Sequence, residues 1–433
     1  MRFYFCFKNT FFIWFFISLF LVSCESRNKS NKTAVNSSNN LALDSTEMII
    51  EQQPIGIAAN QLNQYFPLLK DKNFAVVANQ TSMVYYTHKY AVRESATGTK
   101  TDTIHLVDLL KLRFAKQIKT VFAPEHGFRG KADAGEYVKN GVDSKTNLPI
   151  ISLYGNNKKP KPNQLKDIDV VLFDIQDVGV RFYTYISTLH YVMEACAEAN
   201  IPVIVLDRPN PNAHYVDGPM LELEHKSFVG MHPVPLVYGM TIGEYAQMIN
   251  GENWLKNNIK CDLTVIPLLN YTHQSPYVLP IKPSPNLPNA KSINLYPSLA
   301  FFEGTNVSCG RGTEMQFQIY GSPFLDNKYN SFVFTPMPNF GAKHPKHNGV
   351  ACFGKDLRNH NNLNALNLDW LIEAYVATAD NSIFFNPFFT KLAGTKKLQL
   401  QIEQKYTFRE IRKDWLRDLD AFKKVRNKYL IYE

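Results

Sequence analysis

Five short and almost wholly apolar runs, at residues 74–78, 120–123, 150–154, 170–175 and 203–206, constrain the fold of this chain more than any other feature. Strands that are apolar along their length are buried on both faces, which is the situation of parallel strands with helices packed on either side. Between the runs, Ile104, Val107, Leu110 and Phe114 recur on one helical face, and Ile186, Leu189, Met193 and Cys196 on another. These spacings fit crossover helices. The sequence therefore predicts an α/β fold built on a Rossmann-like, doubly wound, mostly parallel sheet. Thr241 and Glu244 form a capping box that opens a further helix with Tyr245, Met248 and Ile249 on its buried side, and residues 263–268 supply a last strand.

Pro280, Pro283, Pro285, Pro288 and Pro297 exclude a regular helix or a central strand in their segment and mark a crossing between domains. This places the sheet domain at residues 50–279 and a second, smaller α+β domain at 280–433. In the latter, strand-like stretches at 315–320, 331–334 and 397–402 accompany a helix around 368–379. Thr407 and Glu410 cap a closing helix, with Ile411, Trp415, Leu419 and Phe422 at helical spacing. A chain of 433 residues, 45% of them hydrophobic, has the material for cores of this size.

Ahead of the folded part, Arg2 and Lys8 precede an apolar run at 11–22 that is too short to span a bilayer and suits a signal peptide. Leu21-Val22-Ser23-Cys24 has the pattern of a bacterial lipobox, so residues 1–23 read as the signal peptide and Cys24 as the lipidation site. A plain secretory signal or an N-terminal anchor exports the same body. Residues 24–49, rich in Ser, Asn, Thr and Lys, read as a flexible tether. The expectation is a lipoprotein anchored to a membrane of the bacterial cell envelope. Cys196, Cys261, Cys309 and Cys352 stand at wide spacings that define neither a zinc site nor a disulfide framework. The 47 Lys and Arg against 38 Asp and Glu leave a charge of +9 that is scattered or confined to the ends, which does not imply nucleic acid.

Ligands of open parallel sheets bind beyond the carboxyl ends of the strands, and here those ends are unusually polar. The second run leads into Glu125, His126 and Arg129; the fourth into Asp174, Asp177, Arg181, Tyr183 and Tyr185; the fifth into Asp207, Arg208 and Asn210. Carboxylates for proton transfer, arginines for an anion and rings for stacking are the inventory of an anionic-sugar site. Glu125, held between Pro124 and Gly127, is the sharpest catalytic candidate, although a turn acid paired with Arg129 has the same sequence signature. His126 reads as a second proton carrier, a metal ligand or a hydrogen-bonded loop histidine. Asp174 and Asp177 read equally as helix-start acids or partners of Arg181, and Asp207 and Arg208 as an ion pair fixing the turn that follows. In the second domain, Glu303, Asn306 and Arg311 sit in a polar, glycine-bearing loop, and Asn286 lies in a proline-walled segment. There is no Walker motif, no G-x-G-x-x-G after the first strand, no G-x-S-x-G elbow and no H-E-x-x-H, so nucleotide cofactors and serine hydrolysis are disfavoured. No cofactor or resident metal is expected.

The motifs Pro124-Glu-His-Gly-Phe-Arg-Gly130, Ser152-Leu-Tyr-Gly155, the stretch 173–185, Asp207-Arg-Pro-Asn-Pro211, Tyr238-Gly-Met-Thr-Ile-Gly-Glu244, Pro283-Ser-Pro-Asn-Leu-Pro288 and Phe302-Glu-Gly-Thr-Asn306 together resemble the NamZ family of exo-β-N-acetylmuramidases. The resemblance runs from about Ile55 to Tyr432. It implies a Rossmann-like domain joined to a smaller C-terminal one, an active site in the cleft between them, and removal of N-acetylmuramic acid (MurNAc) from the non-reducing ends of peptidoglycan MurNAc-GlcNAc fragments. It carries the family's catalytic glutamate to Glu125; for the second group, position at the strand ends ranks Asp177, Asp174 and His126 as candidates. Met315-Gln316-Phe317 departs from the Pro-Phe pair expected after Gly310-Arg-Gly-Thr313. Glycoside hydrolysis needs an acid at the leaving oxygen and a second group at the oxocarbenium-like centre. An Arg fork from Arg129, Arg181, Arg208 or Arg311 is expected to read the lactyl carboxylate of MurNAc. Two other readings stand beside this one: a non-catalytic surface glycan-binding lipoprotein, and a metal-dependent hydrolase using Glu125, His126 and an aspartate.

Overall fold

The apolar runs become strands because their alternate residues fill two different cores. The computed structural model describes residues 54–93, 96–130, 136, 139–325 and 331–433, so the leader, Cys24 and the tether lie outside the described residues. The strands are β1 (Phe74–Ala78), β2 (Met83–Arg93), β3 (Ala96–His105), β4 (Ile118–Ala123), β5 (Gly141–Val142), β6 (Pro149–Ser152), β7 (Val170–Asp174), β8 (Val203–Leu206), β9 (Leu263–Ile266), β10 (Ile319–Ser322), β11 (Phe332–Phe334) and β12 (Cys352–Asp356). One sheet has the order β5-β6-β4-β1-β7-β8-β9, parallel throughout except for the short edge strand β5. Taking its six parallel strands in chain order gives 3-2-1-4-5-6, the doubly wound order of Rossmann sheets. Val77, Phe122, Phe173 and Val205 face one core, and Val76, Val121, Leu172 and Leu206 the other, as the period of two requires.

Nine helices pack around the sheets among the described residues: α1 (Leu62–Leu69), α2 (Leu106–Arg113), α3 (Tyr185–Glu198), α4 (Ile242–Gly251), α5 (Ala290–Leu299), α6 (Asp369–Ala377), α7 (Phe388–Ala393), α8 (Lys397–Glu403) and α9 (Phe408–Arg426). Both predicted capping boxes form, at Thr241 with Glu244 and at Thr407 with Glu410. The second part carries a small antiparallel sheet, β10-β12-β11. Its Leu295, Phe302, Phe317 and Trp370 belong to the same buried cluster as Val77, Phe173 and α3, so Gln52–Glu433 form one compact unit with a shared core.

Three expectations need correction. Residues 83–105 form the β2–β3 hairpin, an excursion between β1 and α2 that was not anticipated. Residues 397–402, strand-like by alternation, are helical in α8: Leu398, Gln401 and Ile402 face inward at helical spacing while Leu400 is exposed. Pro297 lies inside α5, where it removes one backbone donor close to the end of the helix, and the chain tightens into a 3-10 turn at Ala300–Gly304.

Candidate active site

A cavity of about 480 Å³ opens beyond the carboxyl ends of β4, β6 and β7, with the second part as its opposite wall. Glu125 enters it from a tight turn directly after β4, in which Gly127 N donates to Pro124 O at 3.0 Å. His126 and Gly127 both adopt left-handed backbone, with φ of 67° and 75°. For a histidine that conformation costs on the order of 1 kcal/mol, and such strain gathers at functional sites.

Three strand-end loops converge on the Glu125 carboxylate. Thr184 Oγ1 donates to Glu125 Oε2 at 2.7 Å. Thr184 is the N-cap of α3 and makes no side-chain cap bond, so its hydroxyl serves Glu125 in place of its own helix. Tyr154, just beyond β6, gives its phenol to the same carboxylate; burial first, and then the negative charge of Glu125, push that phenol well above its usual range.

The floor of the cavity is aromatic. Tyr183 and Tyr296 meet edge to face at 6.0 Å, and Tyr296 and Phe317 at 4.9 Å. Phe317 has φ of 51°, an outlier for a bulky residue, so the Met315-Gln316-Phe317 departure presents a ring to the cavity from a strained backbone. The proline segment is a fixed wall, since Tyr183 and Tyr185 hydroxyls and Gln80 Nε2 all donate to Pro283 O, at 2.8, 3.2 and 3.0 Å. Beyond it, Arg311 Nη1 pairs with Glu303 Oε1 at 2.9 Å. The half-buried Lys346 ammonium braces this loop by donating to Phe302 O and Val307 O, at 2.9 and 3.0 Å, and to Thr305 O.

Of the residues expected at the site, Glu125, His126, Tyr183, Asn286, Glu303 and Arg311 line the cavity. The others are held elsewhere. Asp177 is absent from the lining: it is buried, its Oδ2 accepts from Gly179 N at 2.7 Å and from the Tyr238 hydroxyl, and burial lifts its pKa to about 6. Asp174 takes a buried two-toothed fork from Arg208, Nε to Oδ1 at 2.6 Å and Nη2 to Oδ2 at 2.9 Å. With Ser82 Oγ donating to Asp174 O at 2.5 Å, that fork fills the switch point between β1 and β7. The cavity therefore opens to one side of the crevice used by Rossmann proteins.

Arg129 is pinned between Asp108 and Asp143, at 2.9 and 2.8 Å. Arg181 is wholly buried and donates to the carbonyls of Pro219, Val234, Leu392 and Ala393. Asp207 accepts from Thr241, Gly243 and Tyr432. Asn210 secures Met240 O and Asn212 N, and the Asn306 backbone is locked to Phe384 and Ser322. The structure thus does not bring these residues to the cavity lining, and most of their side chains are engaged in pinning loops.

Tyr154, Lys158, Thr184, Phe228, Tyr296 and Phe317 line the cavity and were not singled out from sequence as site residues, Tyr154 and Thr184 although they stand inside quoted motifs. Among the described residues, the His, Cys, Asp and Glu groups close enough to share an ion are Glu222, Glu224 and His225, outside the cavity lining. Glu125 and His126 do not belong to that group of described residues.

Fold and site define a class: α/β proteins in which a strand-end carboxylate, oriented by two hydroxyls, faces an aromatic-floored cavity closed by a second, antiparallel-sheet part. Family models described as exo-β-N-acetylmuramidase NamZ, N-terminal and C-terminal, match residues 91–291 and 294–432. The chain is 39% identical over 357 residues to the peptidoglycan β-N-acetylmuramidase NamZ of Bacillus subtilis (strain 168), covering 77% of this chain and 84% of that protein. It belongs to the NamZ family. Among solved structures it is similar to two DUF1343 family proteins of Bacteroides fragilis NCTC 9343, each covering 88% of this chain and 99% of the other. One has a TM-score of 0.77 at 44% identity and the other 0.68 at 27%.

Proposed function

We infer that the protein is an exo-acting β-N-acetylmuramidase, a glycoside hydrolase that releases MurNAc from the non-reducing ends of peptidoglycan fragments, with Glu125 as general acid. The observation that carries the assignment of Glu125 is its position: a carboxylate in the cavity, aimed by Thr184 and Tyr154. The other cavity carboxylate, Glu303, is already paired with Arg311. In the reaction Glu125 delivers a proton to the glycosidic oxygen as the bond to the anomeric carbon breaks, and water completes the hydrolysis. A cavity of about 480 Å³ is of the size that encloses a small ligand, which suits removal of one terminal sugar. The test is the purified protein on a chromogenic β-MurNAc glycoside and its GlcNAc counterpart. Turnover of the former supports the reading; turnover of neither, repeated on natural MurNAc-GlcNAc fragments, sinks it in favour of glycan binding alone.

The same reading places the protein on a membrane of the bacterial envelope, held by lipid on Cys24 with residues 24–49 as tether. The charged start, the apolar run at 11–22 and Leu21-Val22-Ser23-Cys24 support it. Cys24→Ala should leave the chain unprocessed and without lipid by mass spectrometry of membrane fractions. A normally processed Cys24→Ala protein that still partitions into the membrane contradicts lipidation at this residue.

A further inference from the structure

MurNAc differs from GlcNAc by a lactyl ether whose carboxylate is an anion, so an enzyme that selects MurNAc needs a cation at the sugar it encloses. Three of the four arginines expected to supply it are unsuited: Arg129 is held by two aspartates, Arg208 by Asp174 and Arg181 by four carbonyls. Arg311 reaches the cavity, but its charge is matched by Glu303.

Lys158 is the cavity cation left over. It is half-buried in the loop after β6, lines the cavity, and has no carboxylate partner among the described residues. Its Nζ sits 4.8 Å from the centroid of the Phe228 ring, whose own centroid is 5.9 Å from that of Tyr154, the residue that aims Glu125. The ring holds the ammonium by cation–π attraction, which leaves its N–H donors available to an incoming anion. With Glu303 and Arg311 paired, the Lys158 ammonium is the cavity-lining cation that no acid among the described residues neutralises, and Tyr154 and Phe228 link its neighbourhood to Glu125. We propose that Lys158, steadied by Phe228, is the specificity residue that binds the lactyl carboxylate of MurNAc. This rests on the muramidase reading and adds to it the residue that makes the sugar choice.

The test compares wild type, Lys158→Met and Lys158→Arg on a β-MurNAc glycoside, on the same glycoside with its lactyl group as the neutral amide, and on the GlcNAc glycoside. Removing a bond to a charged group should lower kcat/KM for the acid roughly ten- to a hundredfold in Lys158→Met. The amide and GlcNAc substrates should change little, and Lys158→Arg should keep most of the preference. Calorimetric binding of free MurNAc and GlcNAc to the same proteins gives an answer independent of turnover. A folded Lys158→Met protein that keeps its preference for the acid over the amide, or loses activity on all substrates alike, overturns the role of Lys158. Wild type that turns over nothing yet binds MurNAc over GlcNAc through Lys158 would sink the muramidase reading and leave the recognition role standing.

Discussion

The hydroxyl of Thr184 sits 2.7 Å from Glu125 Oε2, and the bond spans two strand-end loops that sequence separates by 59 residues. α3 begins at this threonine without the side-chain cap its N-terminus would ordinarily take. Thr184→Val should therefore lower kcat by about tenfold, the effect of losing one hydrogen bond to a charged group, with KM little changed. Thr184→Ser should retain most activity. Steady-state kinetics alongside thermal melts separate this from a capping role: a large fall in Tm with kcat intact would mean the hydroxyl serves the helix after all.

Arg181 offers the opposite outcome. Its guanidinium donates to Pro219, Val234, Leu392 and Ala393, so it ties the loop after β7 to the α7 end of the second part. Arg181→Met leaves those carbonyls without their donor and should destabilise the fold by about 3 kcal/mol or more. Denaturant unfolding reads that loss. Should the variant unfold like wild type but bind MurNAc poorly, Arg181 would be a substrate residue and its placement as a strut would be wrong.

A backbone constraint lies four residues upstream of Tyr183. Gly179 has φ of 75°, and a Cβ there would come within 2.2 Å of the Asn210 side-chain oxygen. Gly179→Ala must displace Asn210 or the loop that carries Asp177, and a loss of about 2 kcal/mol or more is expected. Wild-type stability in this variant would show that the loop has slack which the packing does not reveal.

Asp207 makes a pH prediction with a definite sign. Burial, opposed by hydrogen bonds from Tyr432, Thr241 and Gly243, lifts its pKa from 3.8 to about 7. Between those values the native state keeps a proton that the unfolded chain has lost. Its contribution to stability is thus full below about pH 4 and declines as pH rises through 7. Asp207→Asn removes this titration while the other groups remain, so the stability difference, wild type minus variant, should fall by on the order of a few kcal/mol from pH 4 to pH 8. Urea denaturation across that range decides it, and a flat or rising difference contradicts the assignment.

The parallel sheet was legible because its strands are buried on both faces and read as unbroken apolar runs; Phe173 and Leu172, for instance, fill different cores. The β2–β3 hairpin was not, since its threonines, lysines and tyrosines alternate without an apolar run to announce it. In α8 the spacing of Leu398, Leu400 and Ile402 imitates a strand, and only burial of Gln401 in place of Leu400 discloses the helical period. At the site, Glu125 was found because it follows a strand end, but so do Asp174 and Asp207, whose partners Arg208, Thr241 and Tyr432 come from distant segments. Which polar residue meets ligand and which pins a loop depends on long-range pairing that local sequence does not carry. Thr184 and Tyr154 were hidden for the same reason.

Glu125→Gln tests the account most directly, because glutamine keeps the size and shape of the side chain and removes the proton it delivers. On a β-MurNAc glycoside the variant should lose two to four orders of magnitude in turnover, roughly the worth of a general acid, while still melting like wild type and binding MurNAc. Turnover within a few-fold of wild type in a folded Glu125→Gln protein would contradict the catalytic role of Glu125 and, with it, the placement of the chemistry in this cavity.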